Sequence, residues 1–190
     1  MKNRAVFLDR DGTLNLDPGY LGDPDKVELL PGVSEGLGRL KEKDFLLIVI
    51  SNQSGVTRGL ITEEDVKAVN TRINEVLKAD NISIDAFYYC PYHPEFDPPD
   101  KCECRKPSPK MVLQAAEDFQ IDLSKSYFIG DTQSDIECGI NAGVRTILIK
   151  YNESNSKINS LHKGGKSPNF VAVNFNSASD YILKDYEGEH

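Results

Sequence analysis

Short apolar runs alternating with helical stripes predict a doubly wound, Rossmann-like parallel α/β sheet. Three observations carry that expectation. Phe45-Leu-Leu-Ile-Val-Ile50 is a continuous apolar run, and Val6-Phe-Leu8 after Ala5 is a shorter one, as strands covered on both faces require. Between such runs, Val66, Val69, Ile73 and Val76-Leu77 recur at helical spacing. Polar clusters then follow the apolar runs directly: Asp9-Arg-Asp11-Gly12, Ser51-Asn-Gln-Ser-Gly55 and Gly130-Asp131 through Asp135. Open α/β sheets bind ligands at the carboxyl ends of their strands, where these clusters fall.

Taken in order, the first strand starts at Ala5 and leads into Asp9. Asn15 to Asp25 is a loop rich in Gly, Pro and Asp. A helix near Pro31 sets Val33, Leu37 and Leu40 on one face, weakened by Gly32, Gly36 and Gly38. The second strand covers Phe45–Ile50. Thr62, with Asp65 three residues on, caps a long helix. Ile84 to Tyr89 is a third strand, and Cys90 to Arg105 a proline-rich loop without periodicity. Ser108 is the expected N-cap and Pro109 the first residue of a helix carrying Met111, Val112, Ala115, Ala116 and Phe119. A fourth strand, Ser126–Ile129, precedes a short helix ending at Ala142-Gly143, where glycine suits the C-terminus. Thr146–Lys150 is a fifth strand, Tyr151–Asn169 a polar loop, Phe170–Phe175 a last strand and Ser179–Lys184 a closing helix.

At 190 residues without internal repeat, the expected organisation is one domain over 1–190. A net charge of −8 and a pI near 4.9 argue against a nucleic-acid partner. An anionic substrate would then need a local basic site and a metal. No apolar run reaches the ~20 residues that span a bilayer, and the N-terminus runs straight into the first strand without a signal peptide. A cytoplasmic monomer is the expectation.

Asp9 and Asp11 stand close enough in the chain to repel each other, so the pair holds a cation or shares a proton. Alone, a D-x-D reads first as a solvated acidic turn; the whole run with Gly12-Thr13 is far rarer. Asp9 with Asp131 suits Mg²⁺, a hard cation that takes one or two carboxylates plus water and phosphate oxygens. Ser51 and Asn52 offer hydrogen-bond donors to a phosphoryl oxygen, and Lys106 a point charge. Cys90, His93, Cys102 and Cys104 supply three thiols and an imidazole, enough for a closed tetrahedral zinc site that fastens the loop before Arg105 and Lys106. Free thiols or a Cys102–Cys104 disulfide are the alternatives. Cys138 reads as a half-buried helix residue.

The order D-x-D-G-T, then Ser, then Lys, then G-D-x₃-D resembles the haloacid dehalogenase superfamily of phosphohydrolases. Phe7-Leu-Asp-Arg-Asp-Gly-Thr, Asp17-Pro-Gly-Tyr20, Ser51-Asn-Gln-Ser-Gly-Val-Thr-Arg-Gly59 and Cys102-Glu-Cys-Arg-Lys-Pro107 narrow the likeness, which runs from the first strand to about Lys150. They resemble the branch of D-glycero-D-manno-heptose 1,7-bisphosphate 7-phosphatases and histidinol-phosphate phosphatases, enzymes without a cap domain.

The resemblance implies that Asp9 attacks phosphorus and forms an aspartyl-phosphate, while Asp11 protonates the leaving oxygen and then activates water. It makes Asp9, Asp131 and the Asp11 carbonyl the Mg²⁺ ligands, with Asp135 in support. Ser51 and Lys106 stabilise the phosphoryl group. Asp17, Pro18, Gly19 and Tyr20, together with Ser51, Asn52, Gln53, Ser54, Arg105 and Lys106, contact a small sugar phosphate. A surplus of cations at Arg58 and Arg105 points to a second anionic group, hence the heptose bisphosphate first and histidinol phosphate second. Two positions depart from the family pattern: Tyr92 stands where the zinc histidine of C-x-H sits, and Thr132 where many heptose members have lysine. A phospho-receiver module also uses clustered Asp and a Lys, but its acceptor Asp would stand where this chain has Ser51-Asn52.

Overall fold

The computed structural model describes residues 2–151 and 166–188. Six strands form one parallel sheet: β1 (Arg4–Leu8), β2 (Phe45–Asn52), β3 (Ala86–Cys90), β4 (Tyr127–Gly130), β5 (Arg145–Ile149) and β6 (Phe170–Ala172). Their spatial order is β3-β2-β1-β4-β5-β6, so the order reverses between β1 and β4. Register is continuous across the centre, with Phe7 opposite both Ile48 and Phe128.

The apolar runs are explained by burial on both sides. Along β1, Val6 and Leu8 join one core cluster while Ala5 and Phe7 join the other. Helices α1 (Val33–Lys41), α2 (Glu63–Lys78) and α5 (Phe175–Gly188) cover the first face through Leu37, Leu40, Ile73, Leu77 and Phe175. Helices α3 (Lys110–Asp118) and α4 (Gln133–Ala142) cover the second through Met111, Val112, Ala115 and Cys138. Each buried Val, Leu, Ile, Phe or Met side chain among them contributes roughly 1.5–3 kcal/mol relative to exposure. Between Asp9 and Ser51 the chain makes a 3₁₀ turn at Pro24–Lys26 and α1, which packs on the sheet beside α5.

Thr62 caps α2 with a reciprocal capping box to Asp65, as its sequence predicts. Gly143 ends α4 in the left-handed region at φ 83°. Elsewhere the boundaries move. The N-cap of α3 is Pro109 rather than Ser108, with a backbone near the helical region already at φ −80°, ψ 3°. The last strand stops at Ala172 because Asn174 accepts from the Ser177 amide at 2.8 Å, and α5 starts three residues after the strand ends. Phe175 therefore enters the core from a helix instead of extending the strand. The third strand begins at Ala86, since the Ile84 amide is taken by Asn74 Oδ1 at 2.8 Å. Cys138 is fully buried rather than half-buried, with its thiol pushed up to about 12 by burial. Most of the expected polar loop, residues 152–165, lies outside the described residues.

Candidate active site

Three strand exits meet where the strand order reverses. Asp9 leaves β1, Ser51 and Asn52 end β2, and Asp131 follows β4. They line a cleft of ≈ 230 Å³ together with Asp11, Asp17, Gly19, Tyr20, Gln53, Ser54, Arg105, Lys106, Thr132 and Ser134. A larger hollow beside α1, of ≈ 640 Å³, contains none of these groups.

Asp9 is mostly buried, and its Oδ1 accepts from Lys106 Nζ at 2.7 Å and from the Arg10 amide at 2.8 Å. Lys106 also donates to the Ile50 carbonyl at 2.8 Å and pairs with Asp135 Oδ1 at 2.6 Å. It is delivered by the loop before α3, and the backbone there is clamped by Asn52: the Lys106 amide donates to Asn52 Oδ1 at 3.0 Å. Asp135 is fully buried and spends its other oxygen on the Thr132 amide and hydroxyl. It stands behind Lys106 and is not among the residues that line the cleft.

Burial, and then the neighbouring Asp135, raise the Asp9 carboxyl well above its usual range, against the pull of Lys106. The same two causes lift Asp131 to about 7. Burial opposes the Lys106 ammonium, but Asp135 and Asp9 outweigh it and hold the proton more tightly than usual. One oxygen each of Asp9, Asp131 and Asp135 falls within 4.8 Å of the others. Crowded, partly desolvated carboxylates of this kind fit a hard divalent cation, whose charge removes the repulsion that raises their pKa values.

Asp11 points away from that cluster. Its Oδ2 accepts from Arg10 Nε at 3.1 Å and from Gln53 Nε2 at 2.8 Å, and its Oδ1 from Asn15 Nδ2 at 3.0 Å. Gly12 adopts φ +82°, and a Cβ there would stand 2.5 Å from Asp131 Oδ2. The glycine thus allows both the turn and the approach of β4's acid to β1's.

Asp17, Gly19 and Tyr20 line the cleft, and the Gly19 amide donates to Asp17 Oδ1 at 2.8 Å. Pro18 is not among the lining residues. Arg105 lines the cleft half-buried and donates to the Tyr92 carbonyl at 3.3 Å; burial lowers its pKa. Arg58, counted with it as a surplus cation, is instead paired with Glu95 at 3.1 Å and stacked over Phe96 at 4.7 Å.

Cys90 and Cys104 are joined as a disulfide, with Cα atoms 5.5 Å apart, and a disulfide sulfur has no thiolate to offer. Cys102 remains a free thiol, its Sγ 3.8 Å from the Asp97 carbonyl oxygen. His93 Nδ1 is occupied by the Glu95 amide at 3.2 Å. In this bonding state Cys90 and Cys104 hold each other, so a zinc ion on Cys90, His93, Cys102 and Cys104 requires that pair reduced.

Arg10 and Asn70 are among the buried polar residues to which the sequence assigned no role. Asn70 was detectable as a polar interruption of the α2 stripe between Val69 and Ile73. Arg10 was not, because a fully buried guanidinium runs against the usual distribution of charge.

No helix among the described residues is long and apolar enough to cross a membrane. The family model described as HAD-hyrolase-like matches residues 103–178. D-glycero-D-manno-heptose-1,7-bisphosphate 7-phosphatase of Chlorobaculum tepidum is 38% identical over 190 residues, covering 95% of this chain and 94% of the relative. The D-glycero-beta-D-manno-heptose-1,7-bisphosphate 7-phosphatase of Escherichia coli K12 is 39% identical over 148 residues, covering 76% and 78%. Among solved structures, the D,D-heptose 1,7-bisphosphate phosphatase of B. bronchiseptica, complexed with magnesium and phosphate, superposes with a TM-score of 0.83 at 27% identity, covering 96% of this chain and 99% of that one. With its fold, its four motifs in order and a relative matched along nearly the full length of both chains, the chain belongs to the heptose-1,7-bisphosphate 7-phosphatase family of haloacid dehalogenase-like hydrolases.

Proposed function

We propose that this chain is a magnesium-dependent phosphomonoesterase that removes the 7-phosphate of D-glycero-D-manno-heptose 1,7-bisphosphate. The observation that carries the chemistry is Asp9, set at the switch point of the sheet with Lys106 against one oxygen and Asp131 close by. The names of the relatives carry the substrate.

Asp9 offers its free oxygen to phosphorus, and the ester oxygen leaves as the aspartyl-phosphate forms. Asp11, on the cleft wall, gives the leaving oxygen its proton and afterwards takes one from the water that cleaves the acyl phosphate. Lys106 and the Ser51 hydroxyl face the equatorial oxygens, where charge must be held through transfer. Asp9, Asp131 and the Asp11 carbonyl would hold Mg²⁺, which supplies charge neutralisation when bound. Gly19, Tyr20, Asn52, Gln53, Ser54 and Arg105 form the wall around the sugar, joined by Asp17 and its neighbour Pro18 at the rim.

With the Cys90–Cys104 pair reduced, the donor set of Cys90, Cys102, Cys104 and His93 becomes available to a structural zinc ion. The nearness of Cys90 and Cys104 supports that reading. We take the working unit to be the single capless domain 1–190, a cytoplasmic monomer.

Histidinol phosphate is the second reading. Asp17 on the cleft wall would suit its ammonium group, and Arg58, engaged by Glu95, adds nothing for a second phosphate. Phosphate release from both compounds decides: kcat/KM for the heptose bisphosphate should exceed that for histidinol phosphate by at least about a hundredfold, near 2.7 kcal/mol. Equal rates, or the reverse preference, transfer the assignment to histidinol phosphate.

A further inference from the structure

Between the two motif aspartates lies Arg10, the largest fully buried side chain among the described residues. A charge so placed is costly unless its donors are met. Nε and Nη2 approach Asp11 Oδ2 at 3.1 and 3.0 Å. Nη2 also donates to Gln53 Oε1 at 2.9 Å, and Nη1 donates to Asn70 Oδ1 at 3.0 Å. Asn70 belongs to α2, on the helix face that buries Val66, Val69 and Ile73.

These contacts constrain the Gln53 amide. Guanidinium has no acceptor, so the amide oxygen must face Arg10 and the nitrogen must face away. Its two N–H groups then reach Asp11 Oδ2 at 2.8 Å and Ser51 Oγ at 2.5 Å. With a lone pair of Ser51 Oγ taken by an incoming donor, the hydroxyl proton is left to point elsewhere, and the cleft is the open direction. Asp11 is seated in the same network. One buried arginine thus connects helix α2 to the acid/base residue and to the phosphoryl-binding serine.

We propose that Arg10 and Asn70 are positioning residues: their hydrogen bonds set the direction of the Gln53 amide and, through it, the seat of Asp11 and the donor face of Ser51. The inference rests on the phosphomonoesterase reading and its roles for Asp11 and Ser51. It predicts an effect on proton delivery larger than the effect on phosphoryl binding.

Asn70→Leu removes the acceptor while keeping the branched outline of the side chain and substitutes no residue of the cleft. Expected is a fall of about tenfold or more in kcat on the heptose bisphosphate, with KM within about twofold. An activated aryl phosphate, whose leaving group needs little protonation, should lose less than about threefold, the share owed to Ser51. Asn70→Asp keeps an acceptor for Nη1 and should recover to within about threefold of wild type. Simple loosening of the helix would instead lower both substrates together and treat Leu and Asp alike. Equal losses on the two substrates, full activity of Asn70→Leu, or no advantage of Asp over Leu would each overturn the proposal. Circular dichroism monitors folding, and if Asn70→Leu unfolds, Arg10→Lys carries the same test, with the same leaving-group-selective loss expected. Wild-type protein that is folded yet hydrolyses neither substrate overturns the functional reading and this inference with it.

Discussion

At the exit of β1 the decisive chemistry rests on single charges held in little water. Asp9→Asn replaces the proposed nucleophile with an amide and should abolish phosphate release; activity above a few per cent of wild type would refute its role. Lys106 is a different case, since its side chain is 2% exposed and lies against two carboxylates. Lys106→Met leaves Asp9 and Asp135 buried without their cation, a loss of roughly 3–5 kcal/mol for such a broken pair. Urea denaturation without metal should show it, and an unchanged midpoint would contradict the buried ion-pair account. Asp131 gives the pH dependence. Its carboxyl rises from an ordinary value of 3.8 to about 7 in the metal-free protein, through burial first and Asp135 second. The folded state therefore keeps a proton that the unfolded chain gives up. The stability this contributes is complete below pH ~4 and fades as pH rises through about 7. Because Mg²⁺ must displace that proton, the rise in Tm on adding Mg²⁺ should be larger at pH 8 than at pH 6. A shift that is equal or larger at pH 6 would contradict the assignment of Asp131 as a ligand.

Elements decide which of these charges meet. The turn after β1 depends on Gly12, where φ is +82° and a Cβ would press on Asp131. Gly12→Ala should therefore strain the turn by about 1 kcal/mol or more and displace Asp131. The Mg²⁺ concentration for half-maximal activity should rise about tenfold, and an unchanged metal dependence would show that the contact is not limiting. The loop from β3 to α3 delivers Arg105 and Lys106, and its sulfur chemistry governs how firmly. If zinc holds the reduced loop, protein prepared under reducing conditions should carry about one zinc per chain. Cys102→Ser should then lose the metal and lower activity without touching Asp9. Elemental analysis that finds no zinc under those conditions refutes the site. α2 contributes more than a covering layer, since Asn70 reaches through the core to the motif at β1.

For the molecule as a whole, the site is an open cleft on an acidic protein. A formal charge of −8 repels an anionic substrate at long range, so binding depends on Lys106, Arg105 and the metal charge close at hand. The heptose reading thus requires discrimination by the rim loops at Asp17–Tyr20, Ser51–Ser54 and Arg105. The rim differs from expectation in one respect: Arg58 is committed to Glu95 and Phe96. Arg105 is left as the cation besides Lys106 on the described cleft wall.

The strands, the capped α2 and the order of the four motifs were legible in the chain because each depends on local pattern. Burial on both faces demands continuous apolar runs, and phosphoryl chemistry demands Asp9, Ser51 and Asp131 at strand exits with Lys106 in the loop before a helix. What the chain did not show were properties of contacts between distant segments. The pairing of Cys90 with Cys104, the diversion of Arg58 to Glu95 and the link from Arg10 to Asn70 join residues 14, 37 and 60 positions apart. No local periodicity encodes such a meeting. It follows from the packing of α2 and the β3–α3 loop against the sheet, and only the folded chain brings those side chains within hydrogen-bonding reach.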